Sequence, residues 1–158
     1  MKTLLALDLE STIIPHWNQM DTYINFDKLD SIVAEYQPED WLIYSYAVWN
    51  DENYQTLRAS QLIKDLSAKS KSGYISIETT MGMAEDWAGL HRHNYLKPNG
   101  NTIWSQPKEF AFLMTVRRMI EAGLDYKRYI LFDDTAPHEM RYTVGDGVQV
   151  IFLNPENM

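Results

Sequence analysis

The sequence predicts an α/β fold in which a mainly parallel sheet lies between two layers of helices. Three observations predict it: short apolar runs closed by polar residues, helical spacing between those runs, and a length of 158 residues. Continuous apolar runs are typical of strands buried on both faces of a parallel sheet, and alternation with helices favours right-handed crossovers. The length is typical of one domain, so residues 1–158 are predicted to form a single three-layer domain.

Five apolar runs are the predicted strands of this sheet. They cover residues 3–7, 41–44, 73–77, 129–132 and 148–153. Apolar residues at helical spacing predict helices over residues 52–69 and 107–122, and shorter helices over 28–35 and 83–90. Ser105 is the predicted cap of the helix over 107–122, Pro107 lies in its first turn, and Gly123 ends it.

Composition and charge exclude several classes of function. The chain has 22 acidic and 14 basic residues, a net charge of −8, so it lacks the basic field that general binding of nucleic acid or anionic lipid requires. It has no cysteine, which excludes disulfides and thiolate chemistry and suits a reducing compartment. Asp8 interrupts the only run that resembles a signal sequence, and no run approaches the ~20 residues of a membrane span. We expect a soluble, cytoplasmic protein without a membrane partner.

Polar side chains follow three of the predicted strands. They are Asp8 and Glu10 after the first, Ser45 after the second, and Asp133 and Asp134 after the fourth, with Lys108 at the start of the preceding helix. In open α/β sheets, ligands bind beyond the carboxyl ends of the strands. Converging carboxylates repel one another unless a hard cation lies among them, and such oxygen ligands suit Mg²⁺. A lysine and a hydroxyl in the same place predict binding of phosphate oxygens.

The order of these residues resembles the motifs of the haloacid dehalogenase-like phosphohydrolase superfamily. Asp8-Leu9-Glu10-Ser11-Thr12 is similar to its aspartate-x-aspartate-x-threonine motif, and Ser45 is similar to its second motif. Lys108 resembles the third motif and Asp133-Asp134 the acidic fourth. The continuation through Gly145-Asp146-Gly147 is similar to the helix, glycine turn and last strand that follow the fourth motif. Because the motifs occur together in the family's order, their combination is more specific than any one of them.

The resemblance implies a three-layer, Rossmann-like fold of the haloacid dehalogenase type without a full cap domain. Family members with a cap insert it after the first or second crossover. About 36 residues separate Asp8 from Ser45, and about 62 separate Ser45 from Lys108, which leaves no room for a full cap beside the predicted elements. Capless members have open sites, and this favours large substrates or a cap from another subunit.

The resemblance also implies the roles of the site residues. Asp8 would attack phosphorus to form an aspartyl-phosphate, and Glu10 would protonate the leaving oxygen and then activate water. Ser45 and Lys108 would bind the phosphoryl group, with Lys108 also acting in catalysis. Thr12 would support the phosphate-binding loop.

The implied cofactor is Mg²⁺, and the implied partner is a phosphorylated substrate. The candidate ligands are Asp8, a group at Glu10, and Asp134 ahead of Asp133, with Glu139 as a further candidate. The substrate can be a small molecule or the phosphorylated end of a macromolecule, because both present the same phosphoryl group. The sequence predicts neither the substrate nor the oligomeric state.

Two residues leave alternatives open within this interpretation. The family usually has aspartate where Glu10 stands, and the extra methylene moves the carboxyl by about 1.5 Å, a displacement large enough to affect proton transfer. Enolase-phosphatase-like members have glutamate there, so the change is compatible with an enzyme. Lys97, which precedes Pro98, is an alternative to Lys108 as the phosphate lysine.

Two other functions compete with the phosphatase interpretation. Asp8 and Glu10 also resemble the first motif of DEDD-type exonucleases, and Tyr142 and Asp146 have that family's tyrosine-x3-aspartate spacing. The acidic composition opposes nucleic-acid affinity. The second alternative is a catalytically silent phosphate-binding module, which the substitution at Glu10 favours and the retained Asp8 and Lys108 oppose.

Overall fold

The computed structural model describes residues 1–90, 107–137 and 140–158. Its strands are β1 Thr3–Leu7, β2 Asp40–Tyr44, β3 Ile75–Glu78, β4 Arg128–Phe132, β5 Met140–Val144 and β6 Val148–Leu153. They form one sheet in the order β3-β2-β1-β4-β6-β5. Neighbouring strands are parallel except for β5, which runs antiparallel to β6. The predicted α/β class with a mainly parallel sheet is confirmed.

The helices are α1 Phe26–Tyr36, α2 Asp51–Arg58, α3 Gln61–Lys69, α4 Thr80–Leu90 and α5 Lys108–Glu121, with 3-10 turns at Trp17–Gln19 and Pro155–Asn157. Two buried apolar clusters show how they cover the sheet. Leu29 of α1 and Leu66 of α3 pack with one cluster, and Met83 of α4 and Phe112 of α5 pack with the other. Helices therefore lie on both faces of the sheet. No helix in the described part of the chain is both long enough and apolar enough to cross a membrane.

Strand β1 lies at the centre of the sheet and is buried along its whole length. Leu5 and Leu7 belong to one core cluster, and Leu4 and Ala6 to the other, as the twofold alternation of a strand requires. Leu7 pairs with Ile43 of β2 and with Phe132 of β4. The carboxyl ends of these three parallel strands are thus level, and the polar residues that follow them lie at one edge of the sheet.

The sequence predicted one continuous helix over residues 52–69, and this prediction is wrong. The pattern over residues 52–69 forms α2 and α3, separated at Ala59 and Ser60. The Ser60 side chain accepts a hydrogen bond from the backbone N–H of Ile63 at 3.3 Å and donates one to the Leu57 carbonyl at 2.6 Å. Serine competes for backbone groups in this way at helix starts, so it ends one helix and caps the next without breaking the apolar periodicity.

The segment after the fourth motif also differs from the expectation. The resemblance implied a helix there, whereas the chain forms the antiparallel strand β5. A hairpin joins β5 to β6 through Gly145, Asp146 and Gly147, whose φ angles are +39°, +49° and +77°. Glycine and aspartate tolerate these left-handed angles, and such turns match the twist of antiparallel strands. The glycine turn itself is therefore where the sequence predicted it.

The ends of α5 agree only in part with the sequence. Pro107 lies just before the helix, in the capping position, and Gly123 follows it with a φ of +85°. Glycine is favoured at such a left-handed position, so the predicted stop is confirmed. The predicted cap at Ser105 lies outside the described residues.

Candidate functional site

Asp8 directly follows β1 and is 4% exposed. Its backbone N–H donates to the Phe132 carbonyl at 3.0 Å, which continues the pairing of β1 with β4 by one residue. Lys108 Nζ donates to Asp8 Oδ1 at 2.6 Å, and Thr12 Oγ1 donates to Asp8 Oδ2 at 2.8 Å. Both carboxylate oxygens are thus held, and the orientation of the group is set by the sheet and two side chains.

A tight turn brings Thr12 beneath Asp8. The N–H groups of Thr12, Ile13 and Ile14 all lie within 3.1 Å of the Leu9 carbonyl, and Ser11 has a φ of +62°. Thr12 Oγ1 also accepts the N–H of Asp134 at 3.0 Å and lies 3.2 Å from Asp134 Oδ1. A single buried hydroxyl therefore connects the loop after β1 to the loop after β4.

Asp133 and Asp134 follow β4, as the sequence predicted. The N–H of Asp133 donates to the Leu153 carbonyl at 3.0 Å, so the chain stays paired with β6 at this point. Asp133 Oδ1 accepts hydrogen bonds from the N–H and the hydroxyl of Thr135, both at 2.8 Å. Asp133 Oδ2 is buried and accepts no hydrogen bond within the described residues, but it lies 3.1 Å from the Lys108 ammonium.

Lys108 is the first residue of α5 and is 9% exposed. Its ammonium lies between the carboxylates of Asp8 and Asp133, and 5.1 Å from the centre of the Tyr46 ring. Burial lowers the pKa of Lys108, but the attraction of the two carboxylates outweighs this and raises it overall. The lysine is therefore a fixed positive charge at the centre of an acidic cluster.

Burial is the main influence on the pKa values of Asp8 and Asp134. Burial and the charge of Asp133 together raise the pKa of Asp8 to about 7, against the lowering effect of Lys108 and Thr12. Burial and Asp133 also raise the pKa of Asp134. Within the described residues, the single ammonium of Lys108 faces the carboxyl groups of Asp8, Asp133 and Asp134, so negative charge is in excess there.

The arrangement of these carboxylates fits a divalent cation. One oxygen from each of Asp8, Asp133 and Asp134 can be chosen so that all three lie within 4.8 Å of one another. Asp133 Oδ2 is buried and forms an ion pair with the Lys108 ammonium at 3.1 Å, but it accepts no hydrogen bond within the described residues, so it retains capacity to act as a ligand. Hard carboxylate oxygens are ligands that Mg²⁺ prefers, and a cation would offset the excess negative charge. The donor set is compatible with the predicted Mg²⁺.

Glu10 and Ser45 lie on the outer side of the same site. Ser45 is buried, and its hydroxyl accepts the N–H of Ala47 at 3.2 Å. The Glu10 side chain is 43% exposed, its Oε2 accepts the N–H of Trp17 at 3.0 Å, and His16 Nδ1 lies 3.9 Å away. The Glu10 carboxylate is therefore turned toward the 3-10 turn at Trp17–Gln19, and it is not part of the three-aspartate cluster.

An open pocket of about 400 Å³ exposes the cluster to solvent. It is lined by Asp8, Glu10, Ser45, Tyr46, Ala47, Pro107, Lys108, Asp134 and Thr135. Five of the predicted site residues thus line one pocket. The predicted Thr12 and Asp133 are fully buried beside it. Lys97 and Glu139, the alternative phosphate lysine and metal ligand, lie outside the described residues.

Sequence reasoning missed two residues at this site. Thr135 bonds Asp133 through both its N–H and its hydroxyl, and the Asp-x-Thr sequence is a signal for such a local turn. Tyr46 lines the pocket beside Lys108, and burial raises the pKa of its phenol. Its only sequence signal is its position directly after Ser45.

The residues of the exonuclease alternative do not meet at the site. Tyr142 lies in β5, and Asp146 lies in the hairpin that leads into Val148. Val148 begins β6, so this hairpin is at the amino end of the parallel strands, whereas Asp8 follows the carboxyl end of β1. Asp146 therefore lies at the opposite edge of the sheet from Asp8 and cannot share a metal with it.

No family model matches the chain, and no curated protein or solved structure matches it either. Interpretation of the site therefore rests on its geometry and on the order of its residues along the chain.

Proposed function

We propose that the chain is a Mg²⁺-dependent phosphohydrolase of the haloacid dehalogenase type that hydrolyses a phosphomonoester through an aspartyl-phosphate. One observation carries the proposal: the buried Asp8 carboxylate lies at the carboxyl edge of the sheet between Lys108 and two further aspartates, at the base of an open pocket. This combination supplies a fixed nucleophile, a cation that binds phosphate oxygens, and a site for a metal ion.

In the first step, an Asp8 oxygen attacks phosphorus and the bond from phosphorus to the leaving oxygen breaks. The leaving alcohol takes a proton from Glu10, and the product on the enzyme is an acyl phosphate. Lys108 and the Ser45 hydroxyl line the pocket and would bind the phosphoryl oxygens. Thr12 holds the carboxylate in one orientation, so attack needs little rearrangement.

In the second step, water attacks phosphorus and the bond from phosphorus to the Asp8 oxygen breaks. Glu10, now ionised, accepts a proton from that water, and inorganic phosphate and the Asp8 carboxylate are released. Asp8, Asp133 and Asp134 would hold Mg²⁺. When bound, the ion supplies positive charge that shields the phosphoryl oxygens from the surrounding carboxylates.

Glu10 must turn toward the pocket for either proton transfer. Its carboxylate is partly exposed and accepts a hydrogen bond from the Trp17 N–H. A hydrogen bond to a charged group contributes about 1.5–3 kcal/mol, so rotation into the pocket costs little compared with the catalytic barrier.

The connection between β1 and β2 supports the capless form of the family. Residues 8–39 contain one 3-10 turn and α1, and within this interval there is no additional domain. The pocket beside Asp8 is correspondingly open. We therefore propose that the substrate can extend beyond the pocket, as a large phosphorylated molecule would.

Hydrolysis of an aryl phosphate with and without Mg²⁺ tests the proposal. We expect Mg²⁺-dependent turnover by the wild type and a loss of about 10³-fold or more in kcat for Asp8→Asn. Asp146→Asn is the matched control, because Asp146 lies at the opposite edge of the sheet and asparagine tolerates its left-handed φ. Turnover that survives in Asp8→Asn, or an equal loss in Asp8→Asn and Asp146→Asn, would contradict the phosphatase proposal.

One observation favours the silent module as a second candidate. The Glu10 carboxylate, the proposed acid and base, is bonded to the Trp17 N–H and close to His16. A silent module would bind orthovanadate in a Mg²⁺-dependent way without hydrolysing any phosphomonoester. Calorimetric titration of orthovanadate beside the hydrolysis assay therefore separates the two functions.

A further inference from the structure

We infer that Asn154 is a positioning residue that fixes the acidic loop, residues 133–137, in the conformation that binds the cation. This inference rests on the proposed function. The Asn154 amide donates to backbone carbonyls of this loop, and the residue lies just after β6, on the far side of the loop from Asp8. Its effect on the site would therefore pass through the backbone of Asp134 and Ala136.

The side chain of Asn154 is buried, with 4% exposure, and each of its polar atoms is bonded. Nδ2 donates to the carbonyls of Asp134 and Ala136, both at 2.9 Å. Oδ1 accepts the N–H of Glu156 at 2.9 Å. The two N–H groups of the amide are thus both directed at the loop, while its oxygen anchors it to the following 3-10 turn.

These bonds complete a clamp on Asp134. Its N–H donates to Thr12 Oγ1 at 3.0 Å on one side, and its carbonyl accepts from Asn154 on the other. The N–H of Ala136 donates to the Asp133 carbonyl at 3.2 Å, which closes the turn between them. The peptide groups on both sides of Asp134 are thus held, and Thr12 Oγ1 contacts its carboxylate, so movement of this backbone would move the carboxylate relative to Asp8 and Asp133.

Loss of the amide would leave two carbonyl groups of this loop without the donors that hold them. The loop could then satisfy its carbonyls only by moving, and Asp134 would move with it. Groups that orient metal ligands without touching the metal typically change metal affinity by roughly 10–100-fold when they are removed. A residue with a purely structural role would lower stability without changing the affinity of the folded protein for a cation.

Binding of Mn²⁺ as a paramagnetic substitute for Mg²⁺ tests the inference without measuring turnover. Electron paramagnetic resonance titration gives the fraction of free Mn²⁺ for the wild type and Asn154→Ala. We expect Mn²⁺ binding to weaken by about tenfold or more in Asn154→Ala. Asn50→Ala is the matched control: it removes the cap of α2, away from the aspartate cluster, and we expect it to lower the unfolding midpoint while leaving Mn²⁺ affinity unchanged.

A second variant keeps the test decisive if Asn154→Ala does not fold. Asn154→Asp preserves the shape of the side chain and the oxygen that accepts the Glu156 N–H, but as a carboxylate it cannot donate to Asp134 or Ala136. The added negative charge would by itself strengthen Mn²⁺ binding, so weaker binding reports the lost positioning. Affinity within twofold of the wild type, or above it, in either folded variant would overturn the inference.

The outcomes also distinguish this inference from the proposed function. If the wild type shows no Mn²⁺ binding that depends on Asp8, both the inference and the proposed function are wrong, because the cation site would not exist. If Mn²⁺ binding and hydrolysis depend on Asp8 but are unchanged in the Asn154 variants, only the inference about Asn154 is wrong. Weaker Mn²⁺ binding in the folded Asn154 variants supports it.

Discussion

The inner and outer halves of the pocket are built in different ways. In the inner half, Asp8, Thr12 and Asp134 form one bonded group, and Lys108 lies between Asp8 and Asp133. In the outer half, the Glu10 carboxylate is 43% exposed and accepts a hydrogen bond from Trp17 in the 3-10 turn that follows it. The sheet therefore holds the proposed nucleophile and the proposed cation site in place, whereas the proposed proton transfer needs a side chain that must reorient.

The two halves also differ in what they contribute to stability. The inner half brings buried carboxylates together, and removal of the one ammonium between them would leave uncompensated charge. The outer half places its carboxylate where water screens it. Substitutions should therefore affect the free energy of unfolding strongly in the inner half and weakly in the outer half, although both halves serve the proposed reaction.

The largest expected effect on stability comes from Lys108→Met. We expect the metal-free protein to lose about 3–5 kcal/mol of unfolding free energy, because Asp8 and Asp133 lose their common counter-charge. Urea denaturation measures this loss. Lys69→Met is the control, since the Lys69–Asp30 pair is more exposed and its loss should cost less than about 1 kcal/mol. Equal losses in the two variants would show that the inner half is not a distinct charged cluster.

A smaller effect is expected from Thr12→Val, which removes the hydroxyl between the two loops. The change leaves the Asp134 N–H without its acceptor and Asp8 Oδ2 without its donor, so we expect a loss of about 1–3 kcal/mol. Thr12→Ser retains the hydroxyl and should restore most of the stability and of the Mg²⁺-dependent turnover. Thermal unfolding and kcat measured together check both, and a serine variant as impaired as the valine variant would contradict this role of the hydroxyl.

The smallest effect on stability is expected from Glu10→Gln in the outer half. The side chain is partly exposed, so the change in unfolding free energy should stay within about 0.5 kcal/mol. Turnover should nevertheless fall by about 10²-fold for alkyl phosphates, whose leaving oxygen needs a proton. For an aryl phosphate with an acidic leaving group, Glu10→Gln should slow the first step less than it does for an alkyl phosphate. Equal losses of kcat/KM for both substrates would argue against Glu10 as the acid that protonates the leaving group, because kcat/KM reports the steps through formation of the aspartyl-phosphate.

The inner half of the site was largely predictable from the sequence. Asp8 and Asp133 each follow a continuous apolar run, and the carboxyl ends of neighbouring parallel strands meet at one edge. Lys108 was predictable as a residue at a helix start, and the structure places it against Asp8. The role of Thr12 as a bridge to Asp134 was not predictable, because it depends on a left-handed turn at Ser11.

The outer half and the last hairpin were less predictable for physical reasons. The direction of the Glu10 side chain depends on the N–H of Trp17, which the loop between β1 and α1 brings close to it. Strand β5 lies at the edge of the sheet and is exposed along its middle, so it lacks the apolar run that marks a buried strand. The role of Asn154 is a tertiary contact across 18 and 20 residues, which no local pattern indicates.

The central claim is that Asp8 accepts the phosphoryl group. Beryllium trifluoride mimics a phosphoryl group on a carboxylate, so ¹⁹F nuclear magnetic resonance can detect the mimic when it is bound. With Mg²⁺ present, we predict bound fluorine signals for the wild type and for Glu10→Gln, and none for Asp8→Asn. Bound signals that persist in Asp8→Asn, or that are absent from the folded wild type with Mg²⁺, would contradict the claim.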